Sequence, residues 1–441
     1  MWEVRIFPRA QVTDRRLLEI LPGASTAYPA LVTRDRLTAL IYGMAIASGF
    51  AVAVLGPAMP TLRSDLDISR TIGGLHFSAL AGGAVVAGFI VESLTRVAGR
   101  SRVFWLGSGG IALGSLVIAA GRNPVVTIAG ALIVGTSGAM MLSVAQATLS
   151  DSHPRSRSVA LTELHASSSF GTVLPALVVG AVVAVDVGWR WGVVAPVAII
   201  VILAVSGRGV AFPPMPGQRE RAASPPLPRA YWFFWAAFVP SVGAEWSIGA
   251  WGAGYLVDII GTSAGSAALL MVSFFGAIAL GRIIGSRVAG RVSPFRLLVG
   301  ATAIALAGFV GIVGSVQVAS VVAGLFVAGL GISVGFPLLL TMAMDTVPQR
   351  PDEASARTLI SAGASVAIAP LVLGTLADRV GLRPAFWIVP LLLLALILLA
   401  GGGQRAARNQ DREAPLKGRR RQGPSRSGPG LRRLPQRRQP S

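Results

Sequence analysis

The chain has 441 residues, of which 53% are hydrophobic and 13% charged, with 53 glycines and no cysteine. That mixture excludes a soluble domain with a polar surface, and the missing thiols exclude disulfides, cysteine nucleophiles and Cys-ligated metals. The formal charge is +20, yet residues 404–441 alone supply twelve basic against two acidic side chains, with no aromatic ring among them; a solvated tail drawn to anionic lipid headgroups accounts for this without a nucleic-acid partner.

In chain order, residues 1–36 read as a cytoplasmic extension with one short helix over Asp14–Leu21. Glu3, Arg5, Arg9, Asp14, Arg15 and Arg16 interrupt any apolar core that a signal peptide would need. Six apolar runs follow, Leu37–Pro60, Gly73–Val97, Val103–Ala120, Val125–Leu149, Val159–Val185 and Trp189–Val205. A Pro- and Arg-rich stretch then precedes six more, Trp232–Val257, Ala264–Gly285, Phe295–Val316, Val318–Met344, Ala356–Ala377 and Pro384–Ala400. Each is long enough to cross a bilayer as a helix. None alternates as a barrel strand would, and only helices then satisfy every backbone amide in lipid. The expected fold is an all-α polytopic membrane protein of twelve transmembrane helices. Its parts are the extension 1–36, a six-helix bundle 37–206, a cytoplasmic linker 207–230, a second bundle 231–402 and a disordered basic tail 403–441.

The two halves repeat one another. Asp151, Pro154, Pro175, Gly180, Asp186, Gly188, Arg190 and Pro196 find counterparts at Asp345, Pro348, Pro370, Gly374, Asp378, Gly381, Arg383 and Pro390, at offsets of 192 to 195. Duplication on this scale in an apolar chain points to a transporter with a two-fold axis normal to the membrane. With both termini cytoplasmic, the inner loops and tails hold 32 Lys and Arg and the outer loops six, which sets the orientation in the cell membrane.

Few ionisable residues interrupt the spans. Glu245, in Ser241-x-x-x-Glu245-Trp246-…-Trp251-x-x-x-Tyr255-Leu256, lies about 21 Å along its helix, past the bilayer middle. A carboxylate there costs a few kcal/mol or more unless it faces water, meets a cation or takes a proton, which makes it the first proton-coupling candidate. Glu163 and His165 are two further candidates near the cytosolic start of the fifth span, about 200° apart on the helix. Arg282 is expected to extend to the inner headgroups, His76 to be a hydrogen-bonded packing residue, and Asp151 and Asp345 to cap helices or pair with loop arginines. Ser and Thr stripes run along the fourth span (Thr136, Ser143, Gln146, Ser150) and the fifth (His165, Ser168, Ser169, Thr172). Gly110-xxx-Gly114, Gly281-xxx-Gly285 and Gly331-xxx-Gly335 mark expected close helix contacts.

Over residues 37–402 the sequence resembles the major facilitator superfamily. The resemblance rests on Gly56-Pro57-x-x-Pro60 closing the first span and on the basic loop Glu92-Ser-Leu-Thr-Arg96-Val-Ala-Gly99-Arg100-Ser-Arg102. A pseudo-repeat of that loop, Gly281–Arg291, follows the eighth span, and the fullest copy of the pattern, Gly374–Gly381, falls in the outer loop before the last span. Both cytoplasmic copies lack the usual aspartate, with Arg96 and Gly290 in its place. The Glu245 segment also resembles the seventh span of fucose:proton symporter-like members. The resemblance implies a cavity between the bundles, for which Ser48, Ser143, Gln146, Ser241, Trp251, Phe336 and Ser361 are lining candidates. It also implies gating loops, with Glu92, Gly99, Arg100, Arg102, Arg287 and Arg291 as candidates to hold the bundles together across their interface.

The function this implies is secondary active transport of a small organic solute by alternating access, coupled to protons. The alternatives are multidrug or metabolite efflux by proton antiport and a non-transporting sensor derived from a transporter. Efflux is disfavoured by Ala131 and by the thinned Gly171-x-x-x-Pro175-x-x-x-x-Gly180 string, which depart from drug-antiporter patterns. No facing acids or histidines suggest an enzyme. The expected partners are the solute, protons and lipid, with the protein a monomer that needs no cofactor or metal.

Overall fold

The computed structural model describes residues 35–213 and 226–421, apart from the side chains of 158, 351–353, 355, 356 and 410–421. The extension, where a short helix is expected over Asp14–Leu21, most of the linker and the end of the tail therefore lie outside the described residues. All regular structure among the described residues is helical, and it makes twelve passes. In the first half these are α1 (Arg36–Ala53) with α2 (Leu55–Leu66), α3 (Arg70–Ala98), α4 (Arg100–Ala120), α5 (Pro124–Ser152), α6 (Arg157–Ala184) and α7 (Trp189–Ser206). The second half consists of α8 (Arg229–Asp258), α9 (Ala264–Leu270) with α10 (Val272–Ala289), α11 (Pro294–Val313), α12 (Val318–Ile332) with α13 (Gly335–Asp345), α14 (Pro351–Val380), and α15 (Leu382–Ala385) with α16 (Ile388–Arg421).

Eleven of the passes are long and apolar enough to cross a membrane on those grounds alone. The twelfth, α8, has 30 residues, but Tyr231, Trp232, Trp235, Trp246, Trp251, Tyr255 and Glu245 dilute its hydropathy. Large apolar side chains face outward where lipid would lie, Phe89 at 81% and Leu398 at 76% exposure among them. Two passes break at prolines: Pro57 and Pro337 have no N–H for the carbonyls of Ala53 and Ser333, so the helix restarts there.

Three expectations are corrected. The first pass does not close at Pro60 but runs to Leu66. Gly374–Val380 forms the last turns of α14 rather than an outer loop, and only Gly381, at φ 89°, leaves the helix. The tail expected to be disordered from residue 403 stays helical to Arg421 in α16.

The duplication has matching contacts. Tyr42 donates to the Ala160 carbonyl at 3.2 Å, and Tyr231 to that of Ala354 at 2.9 Å. Arg190 donates to the carbonyls of Ala119 (2.9 Å) and Gly121 (3.1 Å) at the end of α4, and Arg383 to that of Val313 (2.7 Å) at the end of α11. In both halves a glycine at positive φ, Gly188 (100°) or Gly381 (89°), turns the chain so that the arginine two residues on reaches back. The expected glycine contacts form as well: a Cβ on Gly114 would stand 2.8 Å from the Gly130 carbonyl, and one on Gly281 2.9 Å from that of Leu330.

Candidate functional site

The bundle has a proximal end, where α1 begins, and a distal end, at the tips of α2 and α14. At the distal end the halves are tied together by charge. Asp378 of α14 accepts from the backbone N–H groups of Arg70 (3.0 Å) and Thr71 (2.7 Å) and from the Thr71 hydroxyl (2.7 Å), so it sits on the N-terminus of α3. Carboxylates are favoured there because the first amides of a helix have no internal acceptor and the dipole is positive. Arg70 reaches Asp258 at 2.5 Å and Asp378 at 3.9 Å, and Arg63 stands 3.8 Å from Asp258. Nearer mid-depth, Ser78 donates to the Ala367 carbonyl at 2.5 Å, and the Trp251 indole to that of Pro370 at 2.9 Å.

Below this latch lies a cavity of about 260 Å³ between the halves. Val52, Leu80, Leu142 and Val366 supply aliphatic walls, Trp246 an aromatic one, and Ser48, Ser168 and Thr172 the hydroxyls. Trp246 is steadied by an edge-on contact with Phe77 at 6.4 Å between centroids.

A charged pair flanks the cavity. Glu245 lies thirteen residues before the end of α8 at Asp258, about 20 Å of helix. Its carboxylate is 3.6 Å from Arg282 of α10, within ion-pair range but too long for a hydrogen bond. Arg282 also donates to the Ser169 hydroxyl of α6 at 2.5 Å, which bridges the halves at mid-depth. The two charged side chains keep 25% and 35% exposure. Glu245 shares α8 with the wall residue Trp246, which follows it, and Arg282 reaches the wall through its partner Ser169, which lies on α6 between the lining residues Ser168 and Thr172. His165, one turn before Ser169, lies within electrostatic range of Arg282. Arg282 therefore does not extend to the headgroups as expected. It lies seven residues, about 10 Å, inside the end of α10, and a carboxylate on the neighbouring helix is the better partner.

The other candidates divide by location. Ser48 lines the cavity. Gln146, four residues beyond Leu142, and Ser143, four beyond Ala139, continue that face toward the proximal end, and Thr136 packs on Gly83 of α3. Ser241 lies against Gly335, Phe336 stacks edge-on with Phe238 at 5.2 Å, Ser361 donates to the Trp235 carbonyl at 2.7 Å, and Trp251 belongs to the closed distal end. Glu163 accepts from Tyr42 at 3.0 Å. His76 is buried, bonded to the Ile72 carbonyl at 3.0 Å and to Thr127 at 2.8 Å.

Of the gating-loop candidates, Arg100 is buried and pairs with Asp151 at 2.6 Å within its own half, not across the interface, and Gly99 makes the turn before it at φ 84°. Glu92, Arg102, Arg287 and Arg291 are exposed. Asp345 makes no matching ion pair among the described residues. Sequence reasoning missed the latch formed by Arg63, Arg70, Asp258 and Asp378. The available signal was the position of these four charges, all within about two turns of a span end on one side of the membrane.

A family model described as the Major Facilitator Superfamily matches residues 41–356 and 233–430. The uncharacterized MFS-type transporter YtbD of Bacillus subtilis (strain 168) is 22% identical over 374 residues, which covers 81% of this chain and 92% of that protein. The glucose/galactose transporter of Brucella abortus (strain 2308) is 31% identical over 171 residues, 36% of this chain and 39% of that one. Among solved structures, a D-xylose-proton symporter superposes with a TM-score of 0.68 at 12% identity, covering 82% of this chain and 96% of that chain. A bacterial homolog of the human lysosomal transporter Spinster, in an inward-facing and occupied conformation, gives 0.65 at 15% identity over 86% and 96%. The two solved structures share this fold, and with the family match spanning most of its length, the chain is a member of the Major Facilitator Superfamily.

Proposed function

We propose that this transporter moves a small organic solute across the cytoplasmic membrane by alternating access, with its movement coupled to a proton through Glu245. The observation that carries this reading is the Glu245–Arg282 pair, held at mid-membrane beside a cavity between two halves that are latched at the distal end. A carboxylate at that depth has two stable conditions, paired with its cation or protonated, and exchange between them is what proton coupling requires. With both termini cytoplasmic, the latched distal end faces outward and the state described is inward-facing.

The test is uptake of candidate solutes into proteoliposomes with and without a pH gradient. Glu245→Gln is expected to abolish gradient-driven accumulation while leaving solute exchange measurable. Unchanged accumulation in that variant would remove Glu245 from the coupling step.

A further inference from the structure

The walls of the cavity and the unused donors of Arg282 together specify a ligand. A polyhydroxylated solute needs a polar partner for nearly every hydroxyl it brings out of water. The cavity offers only three hydroxyls, and that of Thr172 already donates to the Ser169 carbonyl at 2.7 Å. Its remaining surface is aliphatic apart from Trp246. This is poor for a sugar or a nucleoside and good for a hydrocarbon chain or a ring. Charge is handled beside it. A guanidinium carries five N–H donors in a fork that matches a carboxylate, and Arg282 spends one of them on Ser169 while Glu245 stands 3.6 Å off without a hydrogen bond.

We propose that the substrate is a small, largely apolar monocarboxylate that takes the place of Glu245 at Arg282, with its hydrocarbon part in the cavity between the halves. The inference rests on the proton-coupled reading above. The exchange balances: the empty site holds Glu245⁻ and Arg282⁺, and the loaded site holds neutral Glu245 and Arg282⁺ with the substrate anion. One proton from the water on that side enters with each anion, and the net charge of the site does not change. The displaced Glu245 carboxylate takes that proton because a lone charge at this depth is costlier than a neutral acid. Among the described residues His165 also faces Arg282, and Glu163 accepts from Tyr42.

The experiment is calorimetric titration of the purified full-length protein in two buffers of different ionisation heat, which reports protons taken up per ligand bound. The probes are butyrate, hexanoate and phenylacetate, their primary amides, and glucose and uridine as polar neutral solutes. The carboxylates are expected to bind with about one proton taken up, and the amides, glucose and uridine not to bind. Glu245→Gln should bind the carboxylates without proton uptake, and His165→Gln should keep it. Arg282→Gln should weaken carboxylate binding on the order of 30-fold or more, and Arg282→Lys less, since it keeps the charge and loses the fork.

Carboxylate binding without proton uptake, binding unaffected by Arg282→Gln, or no carboxylate binding at all each overturns the inference. If glucose or uridine binds with a proton that Glu245→Gln abolishes, the carboxylate inference fails while proton coupling through Glu245 stands. If some ligand binds and none takes up a proton, both fail.

Discussion

At the scale of single residues, polar side chains in this protein are placed by what they can bond to. Asp35 caps α1, accepting from the Thr38 amide at 2.8 Å, and Thr38 in turn meets the buried His153 at 3.0 Å. Partial burial raises the Asp35 pKa, but the bonds from Thr38 and the nearby His153 outweigh it and leave the pKa below the ordinary value. The sign follows: a carboxyl lowered by folding stabilises above its unfolded pKa and loses that contribution as pH falls toward its folded one. Asp35→Ala is therefore expected to cost about 1 kcal/mol near neutral pH. The difference in unfolding temperature from the parent protein should shrink on acidification below the normal carboxylate range. Glu245 was legible in the sequence because an acid in the middle of an apolar run is rare. Arg282 was misread because its sequence position gives depth but not the direction of the side chain, and only its neighbours Glu245 and Ser169 decide that direction.

At the scale of elements, the repeated Gly-x-Arg is explained by what it does for another helix. Gly188 and Gly381 let Arg190 and Arg383 close the carbonyl ends of α4 and α11. Those carbonyls have no partner within their own helix, and a cation there also meets the negative end of the dipole. Removing a charged donor from such carbonyls costs about 1.5–3 kcal/mol. Arg190→Ala should cost more than Arg383→Ala, because Arg190 also pairs with Asp65. Thermal unfolding of the two variants in detergent checks the order. The repeat, and the twelve passes with boundaries within a few residues for most of them, could be read from apolar run length and spacing. The helical state of Gly374–Val380 and of α16 beyond residue 403 could not, since a polar helix end reads as a loop, the more so where Gly401, Gly402, Gly403 and Pro415 supply loop signals that the helix runs through.

At the scale of the whole molecule, the distal latch decides which side of the cavity is shut. Its parts are imperfectly matched, for the Nε groups of Arg63 and Arg70 are buried without a hydrogen-bond partner, each a cost of about 1–3 kcal/mol. A closure held this way is strong enough to persist and weak enough to undo. Asp378→Ala, which strips three acceptor contacts from the N-terminus of α3, should shift the balance toward distal opening by roughly 2 kcal/mol, about 30-fold. The chain has no cysteine of its own, so Ser78→Cys, half-buried under the latch, reports opening through its rate of reaction with an impermeant maleimide, compared between two backgrounds that both lack the Ser78 bond to Ala367. That rate should be higher in the Asp378→Ala background than in its absence. The site and the latch were the least legible parts of the sequence, because both consist of residues brought together from separate helices.

The repeat also pairs Asp65 with Asp258, 193 positions apart, and the two have parted ways. Asp65 binds Arg190 and the Trp189 indole inside its own half, while Asp258 reaches over to Arg70 and Arg63. The reaching pair keeps 23% and 28% exposure, so dissolved ions compete with it directly. Salinity on that side of the membrane should therefore act as a throttle: raising it from about 0.01 to 1 M shortens electrostatic reach from roughly 30 to 3 Å and should hasten unlatching, while the stability of each half changes little.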